Sequence, residues 1–498
     1  ALISSTDRAE RRLAVRALEE TGNEDCALLA HLLNDSDNDV RRAALTATGR
    51  GSCADLWPLV VSALEQRATQ TAAVGALVVG GETALPAISA AFGRADLPRE
   101  MGIGLARAAG RIGGERAIGV LAGQIEQPND ALRTEVLLAL AHAGYRAEGG
   151  AAGVVRRQIA AETAHAAGLL AGLRDCLAVA ELAYLRRVLE GQFVAARDRI
   201  YLLLSLLFDP AAMRDVREVL GSGRRASDAR RAYALEILEL RLPADLKALV
   251  MPLSEELPAA TRLQRLGAAY DRPVLAATER VADMARGDGR ANRWLRATQL
   301  FAVGQLQCGD PDLPGLLARY QTDGDPVLRE TAVWTAVRLG LTPADLPTGE
   351  RPMLTTIEKV ILLKDADLFA ETPDELLAEV AELLTEVELP AGEAVFKKGE
   401  SGDSLYIVVS GQVRVHDGDY TLNLLGESEL FGEMALLEPE PRMASVTAET
   451  DALLLRLDGE PFFELMDTRS EVARGIIRVL SRRLRQRVQE VAALHAAA

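Results

Sequence analysis

Glycines recur through the first third of this chain at the interval of a short two-helix hairpin. Gly22, Gly51, Gly81, Gly113 and Gly144 stand 29, 30, 32 and 31 residues apart. Between them run apolar segments with helical periodicity, such as 27–33 and 117–121. Two arginines, an apolar residue and an alanine precede the first two of these glycines, at 11–14 and 41–44. A unit of that length holds two helices closed by a Gly C-cap, and it cannot bury its apolar stripe alone. Stacking is therefore obligatory, and the expected fold is a helical solenoid. An aromatic content of only 4 %, with abundant Ala, Leu and Arg, agrees with helices over most of the length.

The pattern resembles short bacterial HEAT repeats. Its period blurs between about residues 150 and 290 and then returns, with Arg296 and Arg329 33 residues apart and Asp325-Pro326 opening a helix. We read residues 1–340 as one HEAT-like α solenoid with an irregular middle. Residues 341–353, rich in Pro and Gly, form the expected linker. A second domain is expected over 354–498, led by helices at 357–363 and 373–384.

In that second domain, short β-branched and aromatic runs at 389–396, 405–410 and 413–415 are bounded by Gly399, Gly402 and Gly411. Then comes Phe431-Gly432-Glu433-Met434-Ala435, followed by Arg442-Met443-Ala444. A Gly turn into a helix start presents free N–H groups to an anion. An Arg offers a planar fork of donors to phosphate oxygens, and a Glu accepts from a hydroxyl. Glu433 and Arg442 are nine apart. The run resembles the phosphate-binding cassette of cyclic-nucleotide-binding domains, the family of the catabolite activator protein and the protein kinase A regulatory subunit. Gly432, Glu433, Ala435, Arg442 and Ala444 all stand at that family's spacing.

The resemblance covers roughly residues 354–490 and implies an α+β domain with a small antiparallel, jelly-roll-like β-barrel and flanking helices. It also implies roles. Gly432 permits close backbone approach, and the N–H groups of Glu433, Met434 and Ala435 face the phosphate. Glu433 accepts from the ribose 2′-hydroxyl. Arg442 pairs with a phosphate oxygen, assisted by the N–H of Met443 or Ala444. Val415 and Asn423 match base-side positions, and Arg483 sits where a closing helix reaches the base. Arg487 and Val488 replace small hydroxyl residues of the catabolite-activator pattern. Met443 stands where cGMP-selective relatives often carry Thr, which leans the ligand toward cAMP, with cGMP the alternative.

The C-terminal segment from Ser470 to about Leu494 places Ile477, Leu480, Leu484, Val488 and Val491 on one stripe, with Arg478, Arg482, Arg485 and Arg487 on another face. That stripe is expected to pack on the barrel. With Ala498 the last residue given, neither a helix-turn-helix domain nor a second cyclic-nucleotide domain is expected.

Other chemistries find little support. Four cysteines lie far apart with no Cys-x-x-Cys, which suggests neither a disulfide framework nor a zinc knuckle. Five scattered histidines show no metal-ligand spacing. No phosphate loop, kinase signature or nucleophile elbow occurs, so the expectation is a non-enzyme with neither metal nor cofactor. A net charge of −16 argues against nucleic acid as the main partner. No signal peptide is visible, and the apolar run 71–81 is broken by Glu82 before it reaches a membrane span. The expected location is cytoplasmic.

The function expected is that of a cyclic-nucleotide-responsive regulatory module acting on a protein partner through the solenoid. A scaffold whose barrel no longer binds nucleotide is the alternative. HEAT-like arrays ahead of such a barrel also resemble the soluble tails of bacterial transporters of the ATP/ADP-translocase type. A chain that begins at Ala1 rather than Met is compatible with a piece of such a protein.

Overall fold

The computed structural model describes residues 5–21, 26–51, 53–221, 227–287, 290–341, 354–438 and 440–497. It forms two compact units, Ala1–Arg280 with Asp288–Asn292, and Val281–Gly287 with Arg293–Ala498. The break falls ahead of the Pro-rich stretch expected to be the linker, most of which lies outside the described residues.

The first unit opens with nine helices: α1 Arg8–Thr21, α2 Cys26–Leu33, α3 Asn38–Arg50, α4 Trp57–Ser62, α5 Arg67–Gly80, α6 Leu85–Phe92, α7 Arg99–Ile112, α8 Gly114–Ala122 and α9 Asp130–His142. They pack in two rows. In one, α1 meets α3, α3 meets α5, α5 meets α7 and α7 meets α9; in the other, α2, α4, α6 and α8 follow one another. The periodic glycines end the first row's helices: Gly51 caps α3, Gly81 caps α5 and Gly113 caps α7, while Gly144 follows α9. Gly22 lies outside the described residues. Polar side chains tie successive units, as Arg12 to Asp39 at 3.0 Å and Gln70 Nε2 to the Glu100 carbonyl at 2.9 Å.

Two expectations need correction here. Cys26 and Cys53 form a disulfide, although sequence spacing suggested no pairing. They are 27 residues apart in sequence, and the packing of α2 against α4 brings their Cα atoms to 5.6 Å. Residues Arg67–Phe92 are also long and apolar enough, by length and composition, to cross a membrane. Here they are divided between α5 and α6, and Ala73, Val74, Leu77, Ile88 and Phe92 are buried among neighbouring helices.

The period blurs where two long helices intervene, α10 Gly149–Asp175 and α11 Ala183–Leu207, which pack against each other. A buried ionic cluster pins them to α9. Glu162 forms an ion pair with Arg133 Nη2 at 2.7 Å and accepts from Arg199 Nε at 3.0 Å, and Arg199 Nη2 donates to Asp130 at 2.8 Å. Then follow α12 Pro210–Leu220, α13 Asp228–Arg241, α14 Ala244–Ser254, α15 Ala259–Leu266 and α16 Ala277–Arg286.

In the second unit, α17 Arg293–Leu306, α18 Leu313–Tyr320 and α19 Pro326–Arg338 precede α20 Thr356–Asp365 and α21 Asp374–Ala381. Asp325 caps α19, accepting from the N–H groups of Val327 and Leu328. Eight strands follow: β1 Thr385–Leu389, β2 Ala394–Phe396, β3 Ser404–Ser410, β4 Val413–Asp417, β5 Tyr420–Leu425, β6 Leu430–Phe431, β7 Ser445–Ala448 and β8 Ala452–Asp458. They make two antiparallel sheets, ordered β1-β8-β3-β6 and β2-β7-β4-β5. The expected barrel is thus an unclosed sandwich. Closure would require hydrogen-bonded pairing between edge strands of the two sheets, and among the described residues no named strand of one sheet pairs with one of the other. Leu389, Tyr406, Val408, Val413, Leu425, Phe431, Val446 and Leu454 fill its core. Helix α22 Glu433–Leu437 lies between β6 and β7, and α23 Gly459–Thr468 and α24 Ser470–Ala497 end the chain.

Candidate functional site

The loop before β7 delivers Arg442 into the sandwich. Its backbone is fixed from both sides, since Arg442 N–H donates to the Glu400 carbonyl and the Gly399 N–H donates to the Arg442 carbonyl, each at 2.8 Å. The side chain is only 6 % exposed. Its guanidinium lies over the Phe396 ring, 4.1 Å from the centroid, a cation–π placement. Nη2 donates to Ser404 Oγ at 3.1 Å and Nη1 to the Gly432 carbonyl at 3.4 Å. Among the described residues no carboxylate forms an ion pair with it. Burial pushes its pKa below the ordinary guanidinium value, although Tyr406 and Asp403 pull the other way. A buried cation held by neutral groups is costly unless an anion completes its shell.

Gly432 sits directly beside that guanidinium. Its φ of 80° is left-handed, and a Cβ there would lie 2.8 Å from Arg442 Nη1 and 3.0 Å from the Ser404 carbonyl. Only glycine fits both demands. Gly402 plays the same part on another side, because a Cβ there would run into the guanidinium. From Gly432 the chain enters α22, whose first N–H groups, those of Glu433, Met434 and Ala435, have no intrahelical acceptor. Glu433 is half-buried, so its carboxylate keeps a path to solvent.

The structure thus joins Gly432, the α22 start and Arg442 in one cradle. Ala435 is buried, while Met434 and Met443 are exposed and offer no donor for a base. Ala444 leads into β7. Val415 and Asn423 are direct cross-strand partners, and Val415 also pairs with Val446, which places all three on one sheet face. Val415 packs against the core. Asn423 is exposed, and its side-chain oxygen accepts from the Leu424 N–H at 2.9 Å. The side chain of Arg483 lies outside the described residues.

Helix α24 differs from its expected arrangement. Its packed face is Val472, Gly475, Ile476 and Val479, set against the segment around Thr372, with Arg469 bonded to Glu379 at 2.9 Å. Ile477, Leu480, Leu484 and Val488 are exposed instead. The helix carries two apolar stripes, and periodicity alone does not say which one meets the protein.

Sequence reading missed Phe396, Tyr406 and Ser404 as parts of the site. Phe396, Tyr406 and Phe431 form an aromatic trio, with Tyr406 and Phe431 stacked at 5.3 Å. The available signal was strand alternation, which puts Ser404 and Tyr406 on the same face of β3.

Comparison with known proteins identifies this region. Residues 386–469 match the family described as the cyclic nucleotide-binding domain. The chain is 34 % identical over 130 residues to a CRP-like cAMP-activated global transcriptional regulator of Mycobacterium tuberculosis, covering 25 % of this chain and 58 % of that protein. It is 43 % identical over 102 residues to the cyclic AMP receptor protein of Thermus thermophilus, covering 20 % and 47 %. It is 33 % identical over 123 residues to the type II regulatory subunit of the cAMP-dependent protein kinase of Drosophila melanogaster, covering 25 % and 32 %. The chain therefore spans less than two thirds of the curated relatives it matches. Among solved structures, the Thermus thermophilus catabolite activator protein is similar at 35 % identity over 26 % of this chain and 63 % of that one, with a TM-score of 0.23. The C-terminal region is a cyclic nucleotide-binding domain of the catabolite-activator and kinase-regulatory type.

Proposed function

We propose that this protein is a non-enzymatic, cyclic-nucleotide-responsive regulator. Its C-terminal domain binds cAMP and passes the resulting change to a protein partner through the helical region. The observation that carries the binding half is Arg442, a buried guanidinium without a carboxylate, beside the free N–H groups of α22. A cyclic phosphate supplies the missing anion, and Glu433 accepts from the ribose 2′-hydroxyl. The lack of a donor at Met443, together with relatives named for cAMP, supports cAMP over cGMP.

The transmission half is part of the proposal. The two packed rows of α1–α9 and their period near 30 residues support a HEAT-like solenoid, a form suited to carrying a protein partner. Domains at 1–340 and 354–498, a cytoplasmic location and attachment to a translocase-like transporter belong to the same proposal. So does the expectation that nucleic acid is not a partner.

Isothermal titration with cAMP, cGMP and a cyclic dinucleotide tests it. Saturable binding of cAMP, tighter than of cGMP, is the expected result. No heat from any of the three would leave the scaffold reading in its place.

A further inference from the structure

A second feature lies in the first unit and is independent of the nucleotide site. Where α11 ends and α12 begins, a cleft of about 470 Å³ is lined by Arg146, Phe208, Asp209, Met213 and Arg241. A second hollow adjoins it, shares Pro210 and Met213, and adds Arg214 and Arg217. Among the described residues, four arginines thus line the pair of hollows, with Asp209 the one carboxylate in the walls. In a chain whose acidic residues outnumber its basic ones by 72 to 56, this is a local reversal of sign.

The arginines are unequally engaged. Arg217 is held by Asp198 through two bonds, at 2.7 and 2.9 Å. Arg146 donates to the Leu207 carbonyl at 3.0 Å, a neutral partner. Arg214 and Arg241 are exposed, and among the described residues neither forms an ion pair. Arg241 is also the last residue of α13, whose outer side carries Tyr233 at 64 % and Leu240 at 75 % exposure. Seven residues is two helical turns, so Tyr233 and Leu240 share one side of α13 and lead toward the cationic end.

We propose that this face docks an acidic segment of a protein partner. Its carboxylates would meet Arg146, Arg214 and Arg241, and its apolar side chains would cover Tyr233 and Leu240. An inorganic anion alone would leave the apolar pair uncovered, and so would the sugar–phosphate backbone of a nucleic acid. The cleft's volume falls within the usual range for binding clefts.

Fluorescence polarisation tests the proposal on the full chain. The probes are a labelled peptide of alternating Leu and Glu, the same peptide with Lys for Glu, and a single-stranded RNA oligomer. The Glu peptide is expected to bind saturably and to weaken as salt rises. Arg241→Glu is expected to weaken it at least about tenfold, and Tyr233→Ala with Leu240→Ala by a similar factor. All these side chains are exposed, and circular dichroism checks that the variants fold. Arg442→Ala is expected to keep peptide binding, which separates this site from the nucleotide reading. The proposal is overturned if the Glu peptide does not bind, if the Lys peptide or the RNA binds as well or better, or if folded Arg241→Glu binds as tightly as the parent.

Discussion

Two of the sites at which this protein buries arginine do so in opposite ways. Around Glu162, Arg133 and Arg199 are 1 % and 3 % exposed, and each is matched by a carboxylate. In the nucleotide-binding domain, Arg442 is 6 % exposed and is held only by a serine hydroxyl, a carbonyl and a phenyl ring. The paired cluster fixes helices: it joins α9, α10 and α11 where the short repeat gives way to long helices. The guanidinium of Arg442 has its position set by the sandwich, with no carboxylate ion pair among the described residues, and the proposed cyclic phosphate would meet its charge. Burial alone therefore does not set Arg199 and Arg442 apart; their partners do.

The largest effect is expected on the structural side. Arg199→Ala leaves Glu162 buried with half of its cationic shell gone, and it should cost about 3–5 kcal/mol of stability. Urea unfolding followed by circular dichroism measures this, and cAMP affinity of the folded fraction should not move. Arg442→Ala should show the reverse, losing about 2–4 kcal/mol of nucleotide affinity, or roughly 30- to 1,000-fold. The unliganded fold should keep its stability or gain some, since an uncompensated buried charge is removed.

A smaller effect is expected at the ribose. Glu433→Gln keeps the shape but weakens acceptance from the 2′-hydroxyl, so affinity should fall by about 1–2 kcal/mol. A 2′-deoxy cyclic nucleotide should lose little more on that variant. Simple addition of the two losses would remove Glu433 from the ribose role.

The smallest effect extends the paired class to Asp175, which accepts from Arg174 Nε at 2.7 Å and Arg280 Nε at 2.8 Å. Burial alone would raise its pKa, but the hydrogen bonds from the two arginines outweigh it, and the carboxyl lies below its ordinary value. With the folded value depressed, the unfolded chain takes up the proton first as pH falls. The stabilisation is therefore present above the ordinary carboxylate value and disappears below about pH 4 as the folded group protonates. Asp175→Asn should flatten the acid limb of a stability–pH curve, and an unchanged slope would contradict the assignment.

The grouping of Gly432, Glu433 and Arg442 was legible in sequence because they lie close together along the chain. Ser404 and Phe396 were not, because they reach Arg442 only through pairing between strands distant in sequence. The helix spacing was legible because Gly51, Gly81 and Gly113 each end a helix. It faded where α10 and α11 outgrow the hairpin unit. Cys26 and Cys53 were read as unpaired because linear spacing does not show that the packing of α2 against α4 brings them together. The face of α24 was misread for a related reason: Val472, Ile476 and Val479 make a second apolar stripe, and only the packing selects it.

One paired measurement tests the central claim most directly. Arg442→Ala and Arg199→Ala are each titrated with cAMP by calorimetry and unfolded in urea without ligand. We predict a crossed result, in which Arg442→Ala loses binding and keeps stability while Arg199→Ala loses stability and keeps binding. Contradiction would come from a folded Arg442→Ala protein that binds cAMP as tightly as the parent, since Arg442 would then not be the phosphate anchor.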